Sequence, residues 1–173
     1  MITLTSGNIT LREFKSDDKY RLAELANNPK ISINLRDGFP NPYTVADAEN
    51  FLEKFANQDS ALVLAVEYNG EYVGNIGLHK GTDVYRKSAE IGYFLGEPYW
   101  NLGIMTKAVN LICDYGFKMM DIVRIHAGIF KFNPASMRVL EKCGFKREAV
   151  FEQAIIKVGK IYDEVRYVKL INR

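Results

Sequence analysis

Residues 89–108 read Ala89-Glu90-Ile91-Gly92-Tyr93-Phe94-Leu95-Gly96-Glu97-Pro98-Tyr99-Trp100-Asn101-Leu102-Gly103-Ile104-Met105-Thr106-Lys107-Ala108, and their period changes once. Up to Leu95 the residues alternate, with Ala89, Ile91, Tyr93 and Leu95 on one face and Glu90, Gly92 and Phe94 on the other. Alternation of this kind predicts a strand. From Gly103 to Met119 the spacing of Ala108, Leu111, Ile112 and Tyr115 is helical. The turn Pro98–Gly103 joins the two. Beyond the helix, Ile122–Phe130 is a β-branched strand. A strand–helix–strand step implies a parallel pair joined by a right-handed crossover.

Upstream, Ala61–Tyr68 and Glu71–His79 flank Asn69-Gly70, the strongest short hairpin signal. With the 89–95 strand they predict an antiparallel meander. Ile2–Thr5 and Ile9–Glu13 form a further hairpin about Ser6-Gly7-Asn8. Ser16 is expected to cap a helix that carries Leu22, Leu25 and Ala26 on one face and that Pro29 ends. Lys30–Tyr43, with Pro40, Pro42 and Asp37-Gly38, reads as an irregular loop. Thr44 and Asp47 resemble a capping box ahead of a helix with Ala48, Phe51, Leu52 and Phe55 on its stripe. Downstream, Asn133, Pro134 and Gly144 bound a helix over Pro134–Cys143. Two strands, Phe145–Val158 and Ile161–Ile171, close the chain. The expectation is an α/β fold in a single domain over 1–173. Its mixed, twisted sheet has about seven strands, an antiparallel meander and then a parallel pair, with helices on both faces.

Composition excludes several classes. A chain of 173 residues with 47% hydrophobic and 25% charged residues is globular rather than disordered. Lys+Arg of 23 against Asp+Glu of 21 gives no electrostatic case for nucleic acid. The longest apolar run, Ala61–Val66, is far too short to span a membrane, and the start has no leader pattern. Cys113 and Cys143 read as buried thiols of a reducing compartment, so a cytoplasmic protein is expected. His79 and His126, without Cys or acidic partners at ligand spacing, make no metal site. No Gly-x-Ser-x-Gly elbow is present.

Three further strings complete a pattern: Val73-Gly74-Asn75-Ile76-Gly77-Leu78, Asn133-Pro134-Ala135-Ser136, and Val139-Leu140-Glu141-Lys142-Cys143-Gly144-Phe145. With residues 89–108, Arg124-Ile125-His126-Ala127, Ile9-Thr10-Leu11-Arg12 and the ending with Gly159, Asp163 and Tyr167, the order and spacing resemble the GNAT acetyltransferases along nearly the whole chain. The resemblance is closest to the branch that includes the ribosomal-protein N-terminal acetyltransferases. The family's glycine arm, Gln/Arg-x-x-Gly-x-Gly/Ala, is altered here. Trp100 stands first, Met105 last, and Asn101-Leu102 replace the common Gly-Lys. Trp and a bulky last residue occur in this branch, whereas a positive φ at Asn101 is less comfortable than at glycine.

The resemblance implies acetyl-CoA as co-substrate, no metal, and direct transfer to an amine without a covalent acyl-enzyme. Trp100, Asn101, Leu102, Gly103, Ile104, Met105 and Thr106 would form a turn whose main-chain N–H groups, at a helix start, suit a diphosphate. The strand through Phe94 and Leu95 would splay from the next and hold the pantetheine arm. A main-chain N–H there would stabilise oxyanion charge, at about 3–4 kcal/mol per donor. Asn133 would bond the arm, Lys142 would meet a CoA phosphate, and Ser136 would protonate the leaving thiolate. Asn133 and Ser136 also serve simply as a good helix start. Glu90 is the candidate base, directly or through water, or else a sheet carboxylate paired with a nearby cation. Asp163 and Tyr162 are weaker candidates for acceptor contact.

The acceptor pocket is expected from Ile31–Tyr43 and the last hairpin. A peptide or protein N-terminus, a polyamine and a sugar amine all suit it. A non-catalytic acyl-CoA sensor is the alternative outside enzymes. Family members often form dimers, but no self-complementary patch can be identified in this chain.

Overall fold

The computed structural model describes residues 2–56 and 61–171. One eight-stranded sheet runs in the order β1-β2-β3-β4-β5-β6-β8-β7. Its strands are β1 (Thr3–Ser6), β2 (Ile9–Arg12), β3 (Ala61–Tyr68), β4 (Glu71–Lys80), β5 (Ser88–Leu95), β6 (Arg124–Phe130), β7 (Lys146–Lys157) and β8 (Lys160–Leu170). All neighbours are antiparallel except β5 and β6, the expected parallel pair. Among the described residues the sheet has eight strands, as the mixed sheet expected from the sequence, the opening hairpin joining the meander through β2–β3, where Ile9 and Leu11 are fully buried.

The helices are α1 (Asp18–Ala26), α2 (Pro29–Ser32), α3 (Val45–Phe55), α4 (Ile104–Met119) and α5 (Pro134–Lys142). α4 and α5 cover one face, burying Ala108, Ile112 and Leu140 with Ile76, Leu78, Ile91 and Ile125. α1 and α3 cover part of the other, burying Leu22, Leu25 and Ala48 with Ala65, Tyr72 and Phe94. The Thr44–Asp47 capping box forms as expected: Asp47 N–H donates to Thr44 Oγ1 at 3.2 Å and Thr44 N–H to Asp47 Oδ2 at 2.8 Å.

Two local expectations are corrected. Ser16 does not cap α1. Asp18 turns back instead, accepting from Lys15 N–H at 2.7 Å and from Arg12 at 2.7 and 2.9 Å. Arg12 is nearly buried and also donates to Glu67 at 2.6 Å, so its charge recruits the nearest carboxylates. The stretch read as a loop from Lys30 opens with α2, which begins at Pro29 and is capped by Asn28 accepting from Lys30 N–H at 2.9 Å.

The feature that positions the site is a fork. β5 and β6 pair only at Ser88–Arg124, Ala89–Ile125 and Glu90–His126. Beyond that rung β5 stays on β4 as far as Gly74–Leu95, while β6 stays on β8 as far as Phe130–Glu164. β5 reaches its end only because β4 has Gly74 there, where a Cβ would stand 2.2 Å from the Phe94 carbonyl oxygen. Gly74→Ala is therefore expected to cost about 2 kcal/mol or more, whereas Gly92→Ala, where a Cβ meets nothing within 4 Å, should stay within about 0.5 kcal/mol. Urea midpoints at constant m-value measure both, and equal costs would contradict the close approach.

Candidate active site

A cavity of about 490 Å³ passes through the fork from one face of the sheet to the other. Gly96 N–H donates to Val73 O of β4 at 2.8 Å. Main-chain groups alternate along a strand, so those of Leu95 and Tyr93 face the opening. Trp100 closes its end, with Nε1 donating to the Leu95 carbonyl at 2.7 Å. The Leu95 N–H is left for a guest.

The turn into α4 supplies a second set of donors. Gly103 is its N-cap at φ 74°, with no side-chain cap. Asn101 does take the positive φ, at 62°, which asparagine tolerates better than most residues. The first intrahelical bond runs from Lys107 N–H to Gly103 O, so the N–H groups of Ile104, Met105 and Thr106 have no helical partner. These donors and the helix dipole make an anion site.

Of the residues expected to hold the cofactor, Phe94, Leu95, Trp100, Asn101, Gly103, Ile104, Met105, Thr106, Asn133, Ser136 and Lys142 all line this cavity. Leu102 does not: it is 56% exposed, on the outside of the bend between two left-handed residues. Asn133 Oδ1 accepts from Ser136 N–H at 3.3 Å, capping α5. The Ser136 hydroxyl shares a 2.7 Å hydrogen bond with the Tyr93 hydroxyl. Burial raises the Tyr93 pKa well above that of an ordinary phenol, so it stays protonated. Sequence reading placed Tyr93 only among apolar residues of its strand. The signal available was that a buried phenol needs a polar partner.

Glu90 occupies the last rung of the fork, between His79 and His126, and pairs with Arg36 at 2.5 Å. It does not line the cavity. Burial lowers the pKa of both histidines, so both are neutral around neutral pH. Asp163 accepts from Lys131 Nζ at 2.7 Å and from Gln153 N–H at 3.0 Å, and so holds the base of the last hairpin. Tyr162 packs on Phe132. Lys157, which sequence reading passed over, is almost buried and donates to Leu35 O and Asp37 Oδ1, each at 2.7 Å. It ties β7 to the loop that carries Arg36. Among the described residues no group of three or more His, Cys, Asp and Glu is placed to hold a metal, and no helix is long and apolar enough to cross a membrane.

A splayed parallel pair beside an uncapped helix start is the arrangement the sequence resemblance implied. Residues 8–146 match the acetyltransferase (GNAT) domain family. The chain belongs to this family. It is an N-acetyltransferase that uses acetyl-CoA. The uncharacterized N-acetyltransferase YnaD of Bacillus subtilis is 30% identical over 171 residues, 96% of each chain. The solved microcin C7 self-immunity acetyltransferase MccE, in complex with acetyl-CoA and AMP, is 31% identical and superposes with a TM-score of 0.82, covering 96% of this chain and 94% of that one. The ribosomal L7/L12 α-N-protein acetyltransferase RimL, 20% identical, shares the fold with a TM-score of 0.86 over 98% of both chains.

In this acetyltransferase Cys143 lies just behind the cavity wall, its Sγ–H donating to Thr106 O at 3.3 Å. Burial pushes the Cys143 thiol up to about 11 and Cys113 to about 12. Neither thiol is expected to react with an aromatic disulfide reagent within minutes around pH 8, since the thiolate is the nucleophile. Both should react at once in guanidinium, and a fast thiol in the folded protein would contradict their burial.

Proposed function

We propose that the chain acts as one domain passing acetyl from acetyl-CoA to a primary amine by direct attack in a ternary complex, a peptide or protein N-terminus being the favoured acceptor. The observation that carries this reading is the fork, with a hydroxyl pair at one side and an open main chain at the other. Acetyl-CoA supplies an activated thioester. The N–H groups at the start of α4 would hold its diphosphate, with Lys142 beside them. Asn133, whose Oδ1 is spent on the cap, keeps Nδ2 for the pantetheine arm. The Leu95 N–H faces the opening, where carbonyl charge develops.

Ser136 donates the proton that the departing sulfur needs. Tyr93, kept protonated by burial, shares a 2.7 Å hydrogen bond with Ser136 Oγ, and with Tyr93 as the donor the Ser136 proton would be free for the sulfur. On the other face a carboxylate takes the amine's proton. Glu90 is the candidate named by sequence, and its ion pair with Arg36 must open for it to act. An α-amine, with a pKa near 7.7–8.0 against about 10.4 for lysine, asks less of that base, which favours a chain terminus over a lysine side chain. The two free cysteines suit a cytoplasmic setting.

Release of CoA with peptides of varied N-terminus, free amino acids, polyamines and aminoglycosides tests this reading. Binding of acetyl-CoA with no release for any amine would replace it by a sensor. With an active acceptor, Ser136→Ala is expected to lower kcat about a hundredfold while acetyl-CoA affinity changes less than about twofold. Unchanged turnover would remove Ser136 as the acid.

A further inference from the structure

The face of the sheet opposite α4 and α5 carries a shallow trough that crosses the fork. Its floor is made by Gly92 of β5 and Gly128 of β6, both of which line the cavity. Gly92 is exposed, with nothing within 4 Å of where a Cβ would be. At Gly128 the space is taken by a carboxylate. A Cβ there would stand 2.6 Å from Glu164 Cδ and 2.7 Å from each of its oxygens. Glu164 belongs to β8, where it pairs with Phe130 of β6, so its side chain leans along its neighbour onto the bare glycine.

We infer that Glu164 is the group that meets the acceptor's amine and takes its proton. This rests on the transferase reading above. Two observations separate Glu164 from Glu90, its place against Gly128 and its greater shelter. Its carboxylate lies against Gly128, a residue of the cavity wall, although neither carboxylate is itself part of that wall, whereas Glu90 sits on the last rung, paired with Arg36. Each carboxylate keeps one oxygen without a protein donor among the described residues: Oε1 of Glu164 accepts from Arg166 Nη2 at 2.8 Å, and Oε1 of Glu90 from Arg36 Nη2 at 2.5 Å. The Glu164 side chain is 16% exposed, sheltered yet open to a ligand in the trough. The charged or titratable groups on this face around it are Arg166 and Tyr162 on its own strand, His126 on β6, Glu90 on β5 and, next to Arg166 and His126, Glu148 of β7, while Phe151 of β7 stands directly opposite.

Arg166 explains how the carboxylate is held. Its guanidinium lies over the Phe151 ring at 5.0 Å, and its Nε is buried without a partner. Arg166 thus holds Glu164 by one oxygen, and both carboxylate oxygens lie over Gly128, each 2.7 Å from where its Cβ would be. Phe130 lines the cavity beside it, and its ring packs on Phe132, 5.6 Å between centroids, which packs in turn on Tyr162 at 4.7 Å. A carboxylate beside an aromatic wall suits an ammonium group.

The proton count closes with these residues. An acceptor arriving as an ammonium loses one proton to Glu164 Oε2 before attack, and Glu164 passes it to solvent. As the C–N bond forms and the C–S bond breaks, the nitrogen sheds a second proton to the same carboxylate. The sulfur gains one from Ser136, which recovers it from solvent. The net yield is amide, thiol and one proton released.

The test compares Glu164→Gln with Glu90→Gln, assayed by CoA release with the best amine of the screen. Glu164→Gln should lower kcat/KM about a hundredfold near neutral pH, with acetyl-CoA affinity unchanged. Its deficit should shrink as pH rises, because it then depends on amine already neutral in solution; loss of structure alone would not give that slope. Glu90→Gln should lose less than Glu164→Gln, with a deficit that does not shrink as pH rises; a larger loss with that slope in Glu90→Gln assigns the proton to Glu90 and overturns the inference. Should Glu164→Gln leave Arg166 too exposed a charge to fold, Glu164→Gln with Arg166→Met removes both and should show the same slope. Activity of Glu164→Gln within about twofold, or a parallel pH profile, overturns the assignment and leaves the transferase reading standing. Absence of CoA release by the parent with every amine overturns both.

Discussion

A buried peptide group demands a partner, and this fold withholds one on purpose along half a strand. Past the Glu90–His126 rung, β5 and β6 each keep a ladder on one side only. Unpaired amides inside a protein cost free energy comparable to a lost hydrogen bond. Here the debt is left open to a cavity that water or an extended guest can fill. The groups left open there belong to the main chain, and Trp100 and Met105, unusual at the arm, line the same cavity.

Two kinds of pressure keep the fork apart. Close packing holds β5 to β4, where Gly74 lets the Phe94 carbonyl approach, and the Phe94 ring anchors the strand among the residues packed under α1 and α3. Ladder bonds hold β6 to β8 over its whole length. The two halves of the sheet thus have separate allegiances. Where they part, the Tyr93 and Ser136 hydroxyls stand on the α5 side and the Glu90 and Glu164 carboxylates on the other.

Much of this was legible in the sequence because periodicity and turn chemistry are local. The meander, the parallel pair, the Thr44 capping box and the helix start at Asn133 all followed from spacing. What escaped depends on distant partners. Ser16 lost its cap role because Arg12, buried from another element, claims Asp18. Tyr93 looked apolar because its hydroxyl partner is Ser136, forty-three residues away. Leu102, expected in the cofactor arm, has its side chain outside the cavity, between two left-handed residues that local spacing does not reveal. Glu164 gave no signal, since its placement needs the absence of a side chain on a neighbouring strand, at Gly128.

The Lys157 tether has a mechanical corollary. By bonding the main chain and a side chain on either side of Arg36, it links the end of β7 near the hairpin tip to the opposite loop. A cation sealed at that seam transmits strain rather than absorbing it. Remodelling the hairpin for a bulkier acceptor would drag the loop along, so new specificity would have to arise in both segments together, or begin with the loss of that lysine.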